Sequence, residues 1–154
     1  MAQAGFLGAA EFFSTGRLPS GVLWIDPRSP ETVTARRWDL LTVTAAGCEA
    51  LKQRGLVCAC GTLLVPGDCG EAVLQLVRAE RVVGYGVSGR DSLTFSSMGE
   101  DQRVLCVQRR LLRTDGEAVE PQEIPLPEEY MTLPDEAILA LMGTWLLTGD
   151  GTVA

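Results

Sequence analysis

Three carboxylates stand where apolar runs give way to turns: Asp26 after Gly21-Val22-Leu23-Trp24-Ile25, Asp68 after Val65-Pro66-Gly67, and Asp91 after a glycine-rich stretch. The carboxyl ends of strands are where α/β proteins place ligands, so acids at such points could serve binding or an enzyme's chemistry. Arg28 stands two residues beyond Asp26 and could meet a ligand with it, although Asp-Pro-Arg-Ser-Pro also has the composition of a turn. The stretch Gly84-Tyr85-Gly86-Val87-Ser88-Gly89 matches G-x-G-x-x-G letter for letter. A dinucleotide loop must lead into a helix whose first amides face the phosphates. Asp91-Ser92-Leu93-Thr94-Phe95-Ser96 follows instead, and its alternation and Thr/Phe content predict a strand. The glycine stretch is therefore expected to reverse the chain rather than cradle phosphate. Asp26, Arg28, Asp68, Gly84, Gly86, Ser88 and Asp91 remain as ligand-binding candidates, and turn chemistry accounts for all three acids as well.

The sequence contains no histidine. Ser-His-Asp and Cys-His nucleophile systems need an imidazole that takes a proton near neutral pH, so both are excluded within this sequence. A Ser-Lys pair would have to use Lys52, the only lysine, which sits in a helix-like segment with no evident serine partner. Five cysteines, at 48, 58, 60, 69 and 106, are expected to be free thiols. Cys58-x-Cys60 followed by Cys69 departs from the usual C-x₂₋₄-C zinc spacing. Cys58 and Cys60 share a strand face, where buried cysteine acts as a small hydrophobe, so no metal and no cofactor is expected.

The 154 residues fit a single domain over 1–154, since one core usually serves about 100–200 residues. With 46% hydrophobic and 21% charged residues, the chain has the apolar content of a globular protein. A net charge of −7 and basic residues that never exceed a pair argue against nucleic acid, whose phosphates require clustered Lys and Arg. The opening residues lack a basic region and carry Glu11 within their apolar stretch, which reads poorly as a signal peptide. Ala137 to Thr148, the most apolar segment, falls short of the roughly 20 residues a spanning helix needs. A cytoplasmic protein without membrane contact is expected.

The elements that must position these residues follow from periodicity and punctuation. Ala4 to Phe13 has helical spacing and ends before Ser14-Thr15-Gly16; Gly21 to Ile25 reads as a buried strand. Leu40 to Thr44 is β-rich, Gly47 to Arg54 is helical with Gly55 suited to a left-handed cap, and Leu56 to Val65 is a strand interrupted by Gly61. Gly70 to Ala79 places Ala72, Val73, Leu76 and Val77 on one helical face, and Val82 to Tyr85 is a strand. Alternating strands and helices predict an α/β fold, a small mixed sheet flanked by helices. In the C-terminal third, Arg103 to Leu112 and Ala118 to Ile124 flank Thr114-Asp115-Gly116-Glu117, a hairpin signal. With Leu93 to Ser97 they predict an antiparallel meander. Prolines 125, 127 and 134 mark an extended link, and a helix runs from Pro134 to Leu147 with acids in its first turn and Gly149 as its cap.

This succession resembles the later half of the central domain of Mur ligases, ATP-dependent enzymes that add amino acids to peptidoglycan precursors. The resemblance covers about 47–149 and rests on "CEALKQRGLVCACGTLLVPGDCGEAVLQL", "RVVGYGVSGRDSLTFSS", "VLCVQRRLLRTDGEAVEPQEIPLP" and "EAILALMGTWLLTG". It implies a strand ending in an acidic motif, a glycine turn after the next strand, a meander and a closing helix. The family's Asn-x-Asp-Asp stretch falls on Val65-Pro66-Gly67-Asp68, which keeps only the last acid. No G-x-x-x-x-G-K-[ST] occurs, and Tyr130-Met131-Thr132 stands where the family has a His-Asn pair. Phosphoryl transfer needs a phosphate cradle and a cation, so the expectation is a noncatalytic domain that binds a small molecule or protein, in a pathway tied to the cell envelope. Two alternatives stand beside it: a small enzyme using Asp26, Asp68 and Asp91, and a subunit that completes an ATP-dependent ligase with another chain. A homo-oligomer is a further reading, with Trp24, Trp38 and Trp145 available to bury area at an interface.

Overall fold

The computed structural model describes residues 3–9, 18–19, 21–99 and 102–149. Its centre is an eight-stranded mixed sheet. Five strands run parallel: β1 (Ala4–Leu7), β2 (Val22–Ile25), β3 (Trp38–Val43), β4 (Cys58–Pro66) and β5 (Val77–Tyr85). Three continue the sheet on the other side: β6 (Leu93–Gly99), β7 (Gln102–Val107) and β10 (Gln122–Pro125), with β6, β7 and β10 antiparallel in turn. The order across the sheet is β10-β7-β6-β5-β4-β3-β1-β2. Among the described residues the two halves meet at one bridge, Tyr85 with Leu93. Two short strands, β8 (Leu111–Leu112) and β9 (Ala118–Val119), form a separate antiparallel pair around the expected turn, where Gly116 takes φ of 89°.

Helices cover both faces, as the amphipathic runs require. On one face α1 (Ala45–Arg54), α2 (Gly70–Leu74) and a 3₁₀ turn at Pro30–Thr34 close a core of Leu7, Trp38, Leu41, Val43, Leu51, Leu63 and Val65. On the other face α3 (Asp135–Thr148) buries Ile138, Leu139, Leu141 and Met142 against Phe6, Leu40, Leu64, Leu93 and Leu105. Both predicted glycine caps form: Gly55 and Gly149 end α1 and α3 in the left-handed region, at φ of 59° and 76°. Thr44 caps α1, its Oγ1 accepting from Gly47 N at 3.3 Å. Among the described residues no helix is long and apolar enough to cross a membrane.

Four local expectations are corrected. Ala4 begins a strand and not a helix; residues 10–13 of that predicted helix, and Ser14-Thr15-Gly16, lie outside the described residues. A four-residue run buried on both faces carries no period that separates strand from helix, and parallel pairing with β2 and β3 decides it. β2 is the edge strand and not buried: Leu23 and Trp24 are 42% and 37% exposed. The helix expected over 70–79 stops at Leu74, because Val77, Arg78 and Ala79 pair with Cys58, Ala59 and Cys60 of β4. The long strand expected from Arg103 to Leu112 is divided into β7 and β8, and Ala118 to Ile124 likewise into β9 and β10. The division frees Gln108 and Arg109 from the sheet, and both turn to the glycine loop.

One buried polar contact ties α3 to the sheet. Thr42 Oγ1 and Thr144 Oγ1 lie 2.7 Å apart with both residues fully buried. Thr144 donates its hydroxyl proton to Ala140 O at 2.7 Å, so Thr42 must donate to Thr144. Losing the acceptor then costs more than losing the donor, because it strands a buried hydroxyl. Thr144→Val is expected to destabilise by about 1–3 kcal/mol and Thr42→Val by less than about 1 kcal/mol, read from urea midpoints.

Candidate functional site

The parallel strands β4 and β5 end together, Pro66 opposite Tyr85, and each runs straight into a turn. Gly67 N donates to Tyr85 O at 2.9 Å and locks the first turn to the end of β5. The second turn is the glycine loop, 86–92. Ser92 N donates to Gly84 O at 2.9 Å and Gly86 N to Leu93 O at 3.0 Å, which closes the loop at its neck. Inside it Asp91 N donates to Ser88 O, and Ser88 N donates back to Asp91 Oδ2, both at 3.0 Å. From outside, Gln108 Nε2 donates to Asp91 O, and Arg109 donates to Arg90 O and Ser92 Oγ.

Asp91 is the hub. It is 7% exposed, and its carboxylate sits against three glycine α-carbons: a Cβ on Gly67 would fall 1.9 Å from Oδ1, one on Gly86 2.6 Å from Oδ2, and one on Gly84 3.3 Å from Oδ1. Contacts under 3.0 Å are not tolerated by real side chains, so Gly67 and Gly86 are what allow an acid to be buried here.

These turns form one wall of a cleft of about 440 Å³ that opens at the carboxyl ends of β4 and β5. Asp68, Tyr85, Gly86, Ser88, Arg90 and Asp91 line it, and the N-terminal end of α3 supplies Asp135, Glu136 and Leu139. Glu136 Oε2 accepts from Ala45 N, the first amide of α1, at 3.2 Å. Burial, supported by the charge of Asp68, raises the Glu136 carboxyl pKa above its ordinary value despite that hydrogen bond. Tyr85 donates its hydroxyl to Val43 O at 3.2 Å, and burial raises its pKa well above the ordinary value, so it stays protonated. Asp135 is paired with Arg103. Among the described residues no ion pair engages Asp68, Asp91 or Glu136, so the cleft presents acceptors that a ligand's hydroxyl, amide or amino groups could satisfy.

Two thiols near the cleft, Cys48 and Cys69, and two at the far end of β4, Cys58 and Cys60, are poorly suited to attack. Cys48 packs in the core beneath the cleft, and Cys69 donates to Asp68 Oδ1 at 3.5 Å. Burial raises Cys58 to about 11 and Cys60 to about 12, and it raises Cys48 and Cys69 as well, so all four hold their protons at neutral pH. Cys58 and Cys60 do share one core, the face lined by Trp38 and Leu63.

No protein family, characterised protein or solved structure matches the chain. The site must be read from its own geometry.

That geometry unites four of the candidates: Asp68, Gly86, Ser88 and Asp91 all line the cleft, and Gly84 lies directly behind Asp91. Asp26 and Arg28 are elsewhere. They pair with each other, Arg28 Nη2 to Asp26 Oδ2 at 2.8 Å and Arg28 N to Asp26 Oδ1 at 2.9 Å, and that hydrogen bonding lowers the Asp26 pKa. The glycine loop is followed by a strand, as expected, but it does not reverse the chain. β5 and β6 are parallel where they touch, so the loop is an excursion after which the backbone resumes its direction. Gly67, Arg90, Asp135 and Glu136 also line the cleft and are not among the sequence candidates. Glu136 carries the signal of a helix-first-turn acid, which points equally to a dipole effect, and nothing local says that the turn lines the same cleft as Asp91.

Proposed function

We propose that the chain is a noncatalytic, Mur-ligase-like domain that binds a small molecule or a protein group in the cleft at the ends of β4 and β5, in the cytoplasm and in a pathway tied to the cell envelope. The observation that carries this reading is Asp91, a carboxylate buried against Gly67, Gly84 and Gly86 at the wall of a ligand-sized cavity. Burying a carboxylate costs free energy unless it is hydrogen-bonded, and Ser88 N supplies such a bond to Asp91 Oδ2. The position, outside the carboxyl ends of parallel strands, is the one α/β proteins use for binding. The noncatalytic part is supported by a sequence that has neither histidine nor a Walker-type loop. The partner-chain alternative keeps the same cleft and adds a second protein to supply the phosphate cradle. Asp68 and Asp91 meeting in one cleft supports the enzyme alternative, which loses Asp26 from its set of acids.

The test is a thermal-shift screen of nucleotides, UDP-sugars and amino acids against the wild type and Asp68→Asn. A ligand at about 100 times its Kd adds about 2.7 kcal/mol, or roughly 5–10 °C in Tm for a domain of this size. A saturable shift that Asp68→Asn weakens is the expected result. Magnesium-ATP binding with turnover would overturn the noncatalytic reading, and no shift from any class would remove the small-molecule form of it.

A further inference from the structure

We propose that two copies of this chain associate through the free edge of β5, antiparallel, about a two-fold axis at Ala79. β5 pairs with β4 along its length, yet β6 meets it only at Tyr85. Among the described residues no strand pairs with its other edge from Val77 to Val83. Arg78, Glu80 and Arg81 are exposed there, and Val82 is 44% exposed. An open strand edge is a template for another strand.

The direction of the backbone groups can be worked out. Cys58 N donates to Leu76 O at 3.1 Å, so the Leu76 carbonyl faces β4. Val77, Arg78 and Ala79 pair with Cys58, Ala59 and Cys60 without a break, so alternation over this stretch turns the N–H and C=O of Val77 and Ala79 outward, and the phase changes only beyond it, where Gly61 and Glu80 do not pair. Ala79 of one copy can therefore exchange two N–H···O=C bonds with Ala79 of the other, the hydrogen-bonded pair of an antiparallel ladder.

Charge favours this register over its immediate neighbours. Two strands continuing one sheet about a two-fold axis must place side chains of the same face opposite each other, so the axis passes through a residue. An axis at Arg78, Glu80 or Arg81 opposes like charges. An axis at Ala79 sets Arg78 against Glu80 of the second copy and Glu80 against its Arg78, with only two small methyls at the centre. Opposite charges directly across strands stabilise and like charges destabilise. Glu80 already binds Arg37 at 3.1 Å and would sit between two guanidinium groups. A shallow groove of about 430 Å³ runs beside the edge, lined by Leu74, Val77 and Ala79 among others, and leaves apolar surface for the copy to cover. Charged edges commonly discourage pairing; here the alternation of sign discourages the registers centred on Arg78, Glu80 and Arg81 and favours the one between them.

Sedimentation velocity from about 1 μM to about 1 mM tests this, the range in which an interface of under about 1,200 Å² associates. The wild type is expected to show a concentration-dependent dimer. Glu80→Arg and Arg78→Glu should each weaken it about tenfold or more, and the double swap Arg78→Glu/Glu80→Arg should restore it. Circular dichroism on each variant separates this from misfolding. A wild type that stays monomeric throughout overturns the proposal. So does a double swap that associates no better than either single variant. Hydrogen exchange adds one more outcome: a monomer whose Ala79 amide is protected has that edge covered by its own chain, and the dimer is then ruled out.

Discussion

Gly47→Ala is expected to destabilise the fold by roughly 2 kcal/mol or more, although the same substitution at an unconstrained helical position would stabilise it by up to about 1 kcal/mol. A Cβ at Gly47 would lie 2.4 Å from Leu7 O and 2.9 Å from Leu7 Cγ and Val43 Cγ1. The carbonyl cannot yield easily, because it accepts from Thr44 N at 3.0 Å and from Thr44 Oγ1 at 3.3 Å. Thr44 in turn caps α1, so moving the helix away from β1 also costs the cap. Gly70→Ala is the control: it opens α2 with nothing within 4 Å of an added Cβ, and should change stability by less than about 0.5 kcal/mol. Chemical unfolding of the two variants side by side is the measurement, and equal midpoints would show that the approach of α1 to β1 is looser than described.

Trp38→Ala should cost more, about 3–5 kcal/mol, which is a large share of the 5–15 kcal/mol that holds most domains together. Trp38 is fully buried in the core beneath α1, and its Nε1 donates to Val33 O at 3.0 Å. Removing the indole therefore opens a cavity and leaves the carbonyl of the 3₁₀ turn without that donor. A fall in Tm of about 10 °C or more is expected, with far-UV dichroism showing whether the remainder folds. Trp38→Phe should recover most of the packing while still lacking the donor, and so fall between the two. The burial of Trp38 also withdraws it from the aromatics available to an interface. Trp24, on the edge strand, donates its Nε1 to Gly8 O at 2.7 Å.

What the sequence revealed divides along a physical line. Elements defined by their own residues were legible: α1 between a β-rich run and Gly55, the Asp-Gly hairpin turn, and α3 with acids at its start and Gly149 at its end. Elements defined by their neighbours were not. Ala4 to Leu7 became a strand because it lies between β2 and β3, and Val77 to Ala79 left their helical period because β4 offered backbone partners. The cleft followed the same rule. Asp68 and Asp91 can be noted because each lies in a turn after a strand, but the glycines that seat Asp91 and the Glu136 that shares its cleft are brought there by tertiary contacts. Asp26 and Arg28 gave the same local signal as the others and satisfy each other in their own turn.

The bridge between Tyr85 and Leu93 has a bearing on how the molecule comes apart. With so little backbone pairing to splice them, the parallel and antiparallel halves are also tied by α3, which spans the junction through Leu64 on one side and Leu93 and Leu105 on the other. That helix behaves like a batten nailed across two boards. Lifting its first turn would open the seam beside the cleft that Glu136 and Asp91 both line, so loosening of the junction would loosen the cleft with it.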